Sequence, residues 1–272
     1  MAGLLEGKKG IIFGALDDQS IAWKVALKAK AEGADFLLTN VPVALRMGKI
    51  QDLAEQCNTE VVPADATNLE DLNGLFDKAA ERYGKVDFIL HSIGMSPNVR
   101  KGKAYTDLNY DWMQKSLDIS AISFHKVMQV AYQRDMVNSM GSILGLSYIA
   151  AQRSFPGYGD MAQAKAMLES IARSFGYYWG AKNGVRVNTI SQSPTMTTAG
   201  SGVSGFDAFF DFADKLSPLG NADAESCADF CLAMFSDYTR KITMQNLFHD
   251  GGFSSVGMTE SFIESLGESS ES

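Results

Sequence analysis

Short apolar runs bounded by glycine or polar residues alternate along this chain with stretches whose hydrophobic residues return every three or four positions. The short runs, too brief for buried helices, predict strands at 10–13, 34–39, 60–63, Val86–His91, 142–146, 185–190 and 245–248. The longer periodic stretches predict helices at 21–32, Ile50–Cys57, Leu69–Tyr83, 111–137, 162–180 and Ala224–Phe235. Gly33 and Gly84 stand where the first and third of these helices should stop. Strands separated by helices of this length imply right-handed crossovers and a parallel sheet covered on both faces. The expected fold is therefore α/β, a single Rossmann-like, doubly wound parallel sheet with helices on both sides.

No linker or shift of composition divides the chain, so one domain is expected over 1–272. The least regular stretch, 194–217, is rich in Gly, Ser, Thr and Phe and follows a strand end, which marks it as a mobile lid over a ligand site. An ordinary surface excursion is the plainer reading, against which Phe206, Phe209, Phe210 and Phe212 count. The acidic end, 268–272, is expected to be disordered.

Composition narrows the partners. A hydrophobic share of 46% and a mean hydropathy of −0.07 fit a globular chain with a full core. A net charge of −8 argues against nucleic acid or an anionic membrane as the main partner. Cys57, Cys227 and Cys231 are an odd set, which suits a reducing compartment. No histidine cluster accompanies them, so buried thiols are expected rather than a metal site. The opening apolar run is too short for a signal peptide, and no run approaches the length of a membrane span, so the expected address is the cytoplasm.

In a doubly wound sheet, ligands gather where strands end and helix N-termini point inward. The first strand runs out at Gly14, and Ser20–Ile21–Ala22 opens the next helix, though without the G-x-G-x-x-G fingerprint. Ser20 is placed either to cap that helix or to bond a phosphate oxygen. The second strand ends in Thr39–Asn40–Val41–Pro42, with no adjacent cation for a 2′-phosphate, which tilts the cofactor toward NADH. Asp65 is placed either to accept from an adenine amino group or to cap the helix at Leu69. After the fourth strand, Ser92 and Gly94 leave room for a ribose and a nicotinamide; His91 reads as a packed strand residue.

The reactive groups cluster between 146 and 173, in Leu146–Ser147–Tyr148, Tyr158 and Lys165. A phenol donates a proton toward developing oxyanion charge, and a nearby ammonium lowers its pKa while holding sugar hydroxyls. Taken alone, the same residues also read as two half-buried aromatics and a solvated lysine.

Together with Gly14-x5-Ser20-x-Ala22, Asp65, HSIG at 91–94, VRVN at 185–188, Pro194 and DGGF at 250–253, these motifs resemble the bacterial NADH-dependent enoyl-[acyl-carrier-protein] reductases. That family is a divergent branch of the short-chain dehydrogenases, and the likeness runs from about residue 4 to 257. Most short-chain members have Tyr-x3-Lys, which would put a tyrosine at 161, where this chain has Met161; Tyr158-x6-Lys165 is the enoyl reductase spacing.

The resemblance implies reduction of a trans-2-enoyl thioester on acyl carrier protein, the last reductive step of fatty acid elongation. Tyr158 would stabilise the enolate oxygen, Lys165 would hold the nicotinamide ribose, and Tyr148 would orient the thioester. Gly14, Ala15, Ser20, Ile21, Asp65, Ala66, Ser92, Ile93, Gly94, Pro194 and Thr197 would contact the dinucleotide. Met95, Ser96, Met161, Met196 and Phe206 would line the acyl slot. A homotetramer is implied, packed through 111–137 and 162–180. The family's basic residues near the lid are missing, since Ser204, Gly205, Asp207 and Ala208 stand there, so Arg100, Lys101 and Lys103 become the expected basic patch for an acidic carrier. Two other readings stay open: a short-chain reductase of ketones or aldehydes, and a dinucleotide-binding protein without catalysis.

Overall fold

A strand sends alternate side chains to opposite faces of its sheet, and in this protein both sets are apolar. The computed structural model describes residues 3–202, 205–260, 263 and 264; positions 203 and 204 of the expected lid and the expected tail 268–272 lie outside the described residues. The strands are β1 (Lys9–Phe13), β2 (Asp35–Thr39), β3 (Glu60–Val61), β4 (Val86–His91), β5 (Val137–Ser147), β6 (Arg186–Gln192) and β7 (Asn246–His249). Among the described residues they form one sheet in the order β3-β2-β1-β4-β5-β6-β7, every neighbour parallel. The order reverses between β1 and β4, and the crevice beyond their carboxyl ends is where such sheets bind ligands.

The helices are α1 (Ile21–Ala31), α2 (Pro42–Met47), α3 (Ile50–Cys57), α4 (Leu69–Tyr83), α5 (Pro97–Arg100), α6 (Tyr110–Leu117), α7 (Ser123–Gln133), α8 (Met161–Asn183), α9 (Thr198–Ser201), α10 (Phe206–Leu216) and α11 (Ala224–Phe235). Ile12, Leu38, Phe88 and Leu144 face α1, α3 and α11, while Ile11, Leu37, Ile89 and Ile143 face α4, α7 and α8. The three cysteines are free and buried. Burial pushes the Cys57 thiol up to about 11.

Three features depart from the sequence expectation. The helical stretch expected over 111–137 is α6, then a π turn at Asp118–Ile122, then α7. It stops at Gln133 because Asp135 adopts a left-handed φ of 53° and Met136 N–H returns to the Ala131 carbonyl at 2.9 Å. Lys85 and Lys182 both pair with the Asp135 carboxylate, and Val137 then starts β5. The segment expected to be a lid, 194–217, holds a regular helix, α10, whose Phe206, Phe209, Phe210 and Ala213 recur at helical spacing. Last, α2 forms with Pro42 at its first turn, a position that suits proline's fixed φ.

Phe88 is fully buried and stacks on Phe235 with ring centroids 4.6 Å apart, and a Cβ on Gly10 would lie 2.2 Å from its ring. Phe88→Ala would leave a void that this close-packed centre cannot collapse to fill. A loss of about 3–5 kcal/mol in unfolding free energy is expected by denaturant titration.

Candidate active site

Tyr158 is presented by a turn rather than by a helix. Its neighbours Gly157 and Gly159 have φ of 86° and 48°, which side-chain-bearing residues rarely adopt, and Met161 N–H bonds back to the Tyr158 carbonyl as α8 begins. Tyr148 follows the last residue of β5, and the two rings stand 5.0 Å apart at 58°. Burial pushes both phenols up, so both stay protonated at neutral pH and able to donate. The Tyr148 hydroxyl is buried with no protein partner, an arrangement that suits a ligand oxygen.

Lys165 lies on the first turns of α8, buried, and its ammonium donates to the Leu146 carbonyl at 2.7 Å. Burial pushes its pKa down to about 8, against the attraction of Glu169 one turn on. Glu169 is held in turn by Ser147 Oγ at 2.7 Å and by Gln152 Nε2 at 3.0 Å. Behind the site His91 donates to Ser123 Oγ at 2.8 Å, because that hydroxyl already donates to the Ile119 carbonyl. Burial, then the nearby Lys165 charge, push His91 down to about 3, so it is neutral.

These groups open into one cavity of about 470 Å³ along the carboxyl ends of β1, β4, β5 and β6. Its wall holds Gly14, Ser20, Ile21, Ser92, Ile93, Gly94, Pro194 and Thr197 from the expected dinucleotide set, with Lys165. It also holds Met95, Ser96, Tyr148, Tyr158, Met161 and Phe206 from the expected substrate set. Ser20 does not cap α1: its hydroxyl accepts from Leu16 and Asp17 N–H, both at 3.2 Å, and so shapes the β1–α1 turn at the cavity wall.

Four expected residues lie off the wall. Ala15 is fully buried in the core, and Ala66 is buried beneath α4. The Asp65 carboxylate accepts from Thr67 N–H and Oγ1 at 2.8 and 2.7 Å, while Asn68 is the residue that caps α4. Met196 is exposed and lines a smaller neighbouring cavity with Phe210 and Asn221. The wall also includes Leu16, Asn40, Val41 and Ala44 at the β2 end, Val99, Arg100 and Ile119 beside α5, and Leu146 and Ser147 of β5. Gln192, Ser193, Thr195, Gly200 and Phe209 complete it. Most follow a strand's carboxyl end, the one signal by which the sequence marks them.

The 194–217 segment is tied at its root. Gln192 Nε2 donates to Thr195 Oγ1 at 3.0 Å and to the Ala222 carbonyl at 2.9 Å, and Ala222 N–H donates to Ser193 Oγ at 3.0 Å. Gln192 Oε1 accepts from His249 Nδ1–H at 2.7 Å, which joins both ends of this segment to β7. From the lid, Thr198 Oγ1 donates to Asp17 of the β1–α1 turn at 2.6 Å.

A dinucleotide fits these residues. Gly14 has φ 95°, and a Cβ there would meet the Ser92 carbonyl at 2.0 Å, so the turn demands glycine. A Cβ on Gly94 would enter the space beside Lys165 Nζ, at 3.6 Å. The Lys165 ammonium has one protein acceptor, which leaves N–H groups for ribose hydroxyls. Asn40 spends its side chain on the Ala15 carbonyl and Val41 N–H, so neither it nor Val41 offers a cation to a 2′-phosphate.

A parallel sheet of this order, with a phenol and a buried ammonium at its carboxyl edge, defines a Rossmann-type, dinucleotide-dependent reductase. Comparison with known proteins gives the particular kind. A family model described as enoyl-(acyl carrier protein) reductase matches residues 14–254, and the chain belongs to that family. An enoyl-[acyl-carrier-protein] reductase [NADH] of Rhizobium meliloti is 32% identical over 260 residues, covering 95% of this chain and 96% of that protein. A crystal structure of the FabI–NADH complex from Alistipes finegoldii has 65% sequence identity and a TM-score of 0.93, covering 94% of this chain and 91% of that one. The Aquifex aeolicus enoyl-[acyl-carrier-protein] reductase (NADH) structure, 31% identical, has a TM-score of 0.87 over 94% of this chain and 100% of that one.

Lys165 gives a pH signature. Its folded pKa, about 8, lies below its unfolded value, so the unfolded chain binds the extra proton between about pH 8 and 10. Folding stability from this group therefore rises with pH across that window. The difference in unfolding free energy between wild type and Lys165→Met is expected to shift toward wild type from pH 8 to 10, as read by denaturant titration at each pH.

Proposed function

We infer that this protein reduces the trans-2 double bond of enoyl thioesters carried by acyl carrier protein, using NADH, in the last reductive step of fatty acid elongation. One observation carries the assignment of roles: Tyr158 and Lys165, at the x6 spacing, share a cavity wall with the orphaned Tyr148 hydroxyl. Bound NADH supplies hydride to C3 of the thioester. Tyr158 donates its hydroxyl hydrogen bond to the enolate oxygen that then forms, and C2 takes a proton to give the saturated chain. Tyr148, beside it, orients the thioester through a hydroxyl that has no protein partner. Lys165 holds the ribose hydroxyls and contributes positive potential next to the phenol. Met95, Val99, Met161 and Phe206 offer the acyl chain an apolar, water-poor slot.

Reduction of a ketone would call for the phenol four residues before Lys165, and there the wall presents the Met161 thioether. The whole chain acts as one unit in this reading, as a homotetramer packed through α6, α7 and α8; the exposed Tyr110, Tyr177 and Tyr178 on those helices support it. Three free, buried thiols support a cytoplasmic setting.

Loss of NADH absorbance with a trans-2-enoyl thioester tests the reaction. Wild type should turn over, and Tyr158→Phe should lose about 10²–10⁴-fold in kcat while still binding NADH. Binding of NADH by wild type without turnover would refute the assignment.

A further inference from the structure

Two of the cavity's lining residues carry charge: Lys165, buried among the reacting groups, and Arg100, exposed at the end of α5. The Arg100 side chain has no ion pair and no hydrogen bond within the described residues, and Met95, Val99, Tyr158 and Met161, which line the same cavity, are apolar or phenolic. Nearby Lys103, by contrast, is occupied by Asp107 at 3.2 Å.

The turn that carries Arg100 is held rigidly. Asp160, fully buried two residues after Tyr158, accepts from Ser96 Oγ at 2.5 Å and from Asn98 Nδ2 at 2.9 Å. Ser96 Oγ in turn accepts from Val99 N–H at 3.1 Å, and Arg100 N–H donates to the Ser96 carbonyl at 3.1 Å. Asn98 closes the far side by accepting from Asn109 N–H at 3.0 Å. A buried carboxylate is costly unless its donors are fixed. Here its donors are the α5 turn, so the position of Arg100 is set relative to the phenol.

We propose that Arg100 binds the phosphate of the phosphopantetheine arm on which the enoyl thioester is delivered, an inference that rests on the enoyl thioester reading above. The arm brings an anion toward an enzyme of net charge −8, which repels it. An unpaired guanidinium in the cavity wall offsets that repulsion locally, and its planar fork matches two phosphate oxygens. Because Arg100 lines the cavity, it reads the arm rather than the surface of the carrier.

The test compares three trans-2-enoyl thioesters of one acyl chain, on carrier protein, on phosphopantetheine and on pantetheine, which lacks the phosphate. In wild type kcat/KM is expected to be about tenfold higher for the phosphopantetheine thioester than for the pantetheine one, through KM. Arg100→Gln should collapse that ratio toward one, and Arg100→Lys should keep part of it. A ratio unchanged by Arg100→Gln would overturn the proposal, as would an effect confined to the carrier-protein substrate. If wild type turns over none of the three, the enoyl thioester reading itself fails and the proposal falls with it.

Discussion

A buried ammonium must find an acceptor, and the one Lys165 finds, the Leu146 carbonyl, lies one residue before β5 ends. That bond joins a central strand to the first turns of α8, and the rest of the site takes its geometry from it. Glu169, one turn further on, partly balances the charge, and it is braced by Ser147 from the same strand end. With α8 fixed against β5 in this way, the Gly157–Gly159 turn has little freedom in where it sets the Tyr158 ring, and Tyr148 meets that ring from the strand side. The two neutral phenols are thus arranged beside a buried ammonium and its braced carboxylate.

The sheet was legible in the sequence because a doubly covered parallel strand writes itself as a short, nearly continuous apolar run. That Tyr148, Tyr158 and Lys165 come together was legible because their spacing is local: they lie within one strand–turn–helix passage. What stayed hidden depends on contacts between distant segments. The π turn at Asp118–Ile122 leaves the helical period almost unchanged, yet it lets Ser120 Oγ bond both the N–H and the carbonyl of Met95. The stop at Gln133 relies on a left-handed Asp135 that two distant lysines stabilise, with no glycine to announce it. Asp65 and Asn68 are both good capping residues by type, and only the folded turn shows that Asn68 caps α4 while Asp65 binds Thr67. Gln192 carried no motif at all, since it ties segments far apart in the chain, and Arg100, expected in a surface basic patch, gave no sign in the sequence that it lines the cavity.

The cavity divides its polar work unevenly. At the β2 end, Asn40 is satisfied within the protein, and Val41 and Ala44 present apolar surface, so discrimination there rests on what is withheld from a ligand. At the phenol end the unsatisfied Tyr148 hydroxyl does the reverse, since a group left without a partner favours whatever ligand completes it. Between the two, Thr198 reaches to Asp17, so the segment that brings Phe206 and Phe209 to the wall also touches the β1–α1 turn.

The tie at the lid root has a consequence for how such a protein changes over evolutionary time. Gln192 and Ser193 hold the departing and returning ends of the lid together through Ala222, and His249 fastens that knot to β7. The entropy of closing the loop is thus settled at its base, and lengthening the part beyond adds only slowly to that cost. Insertions and substitutions in and around α10 are therefore insulated from the sheet, and the molecule is free to rewrite that part of its cavity wall alone.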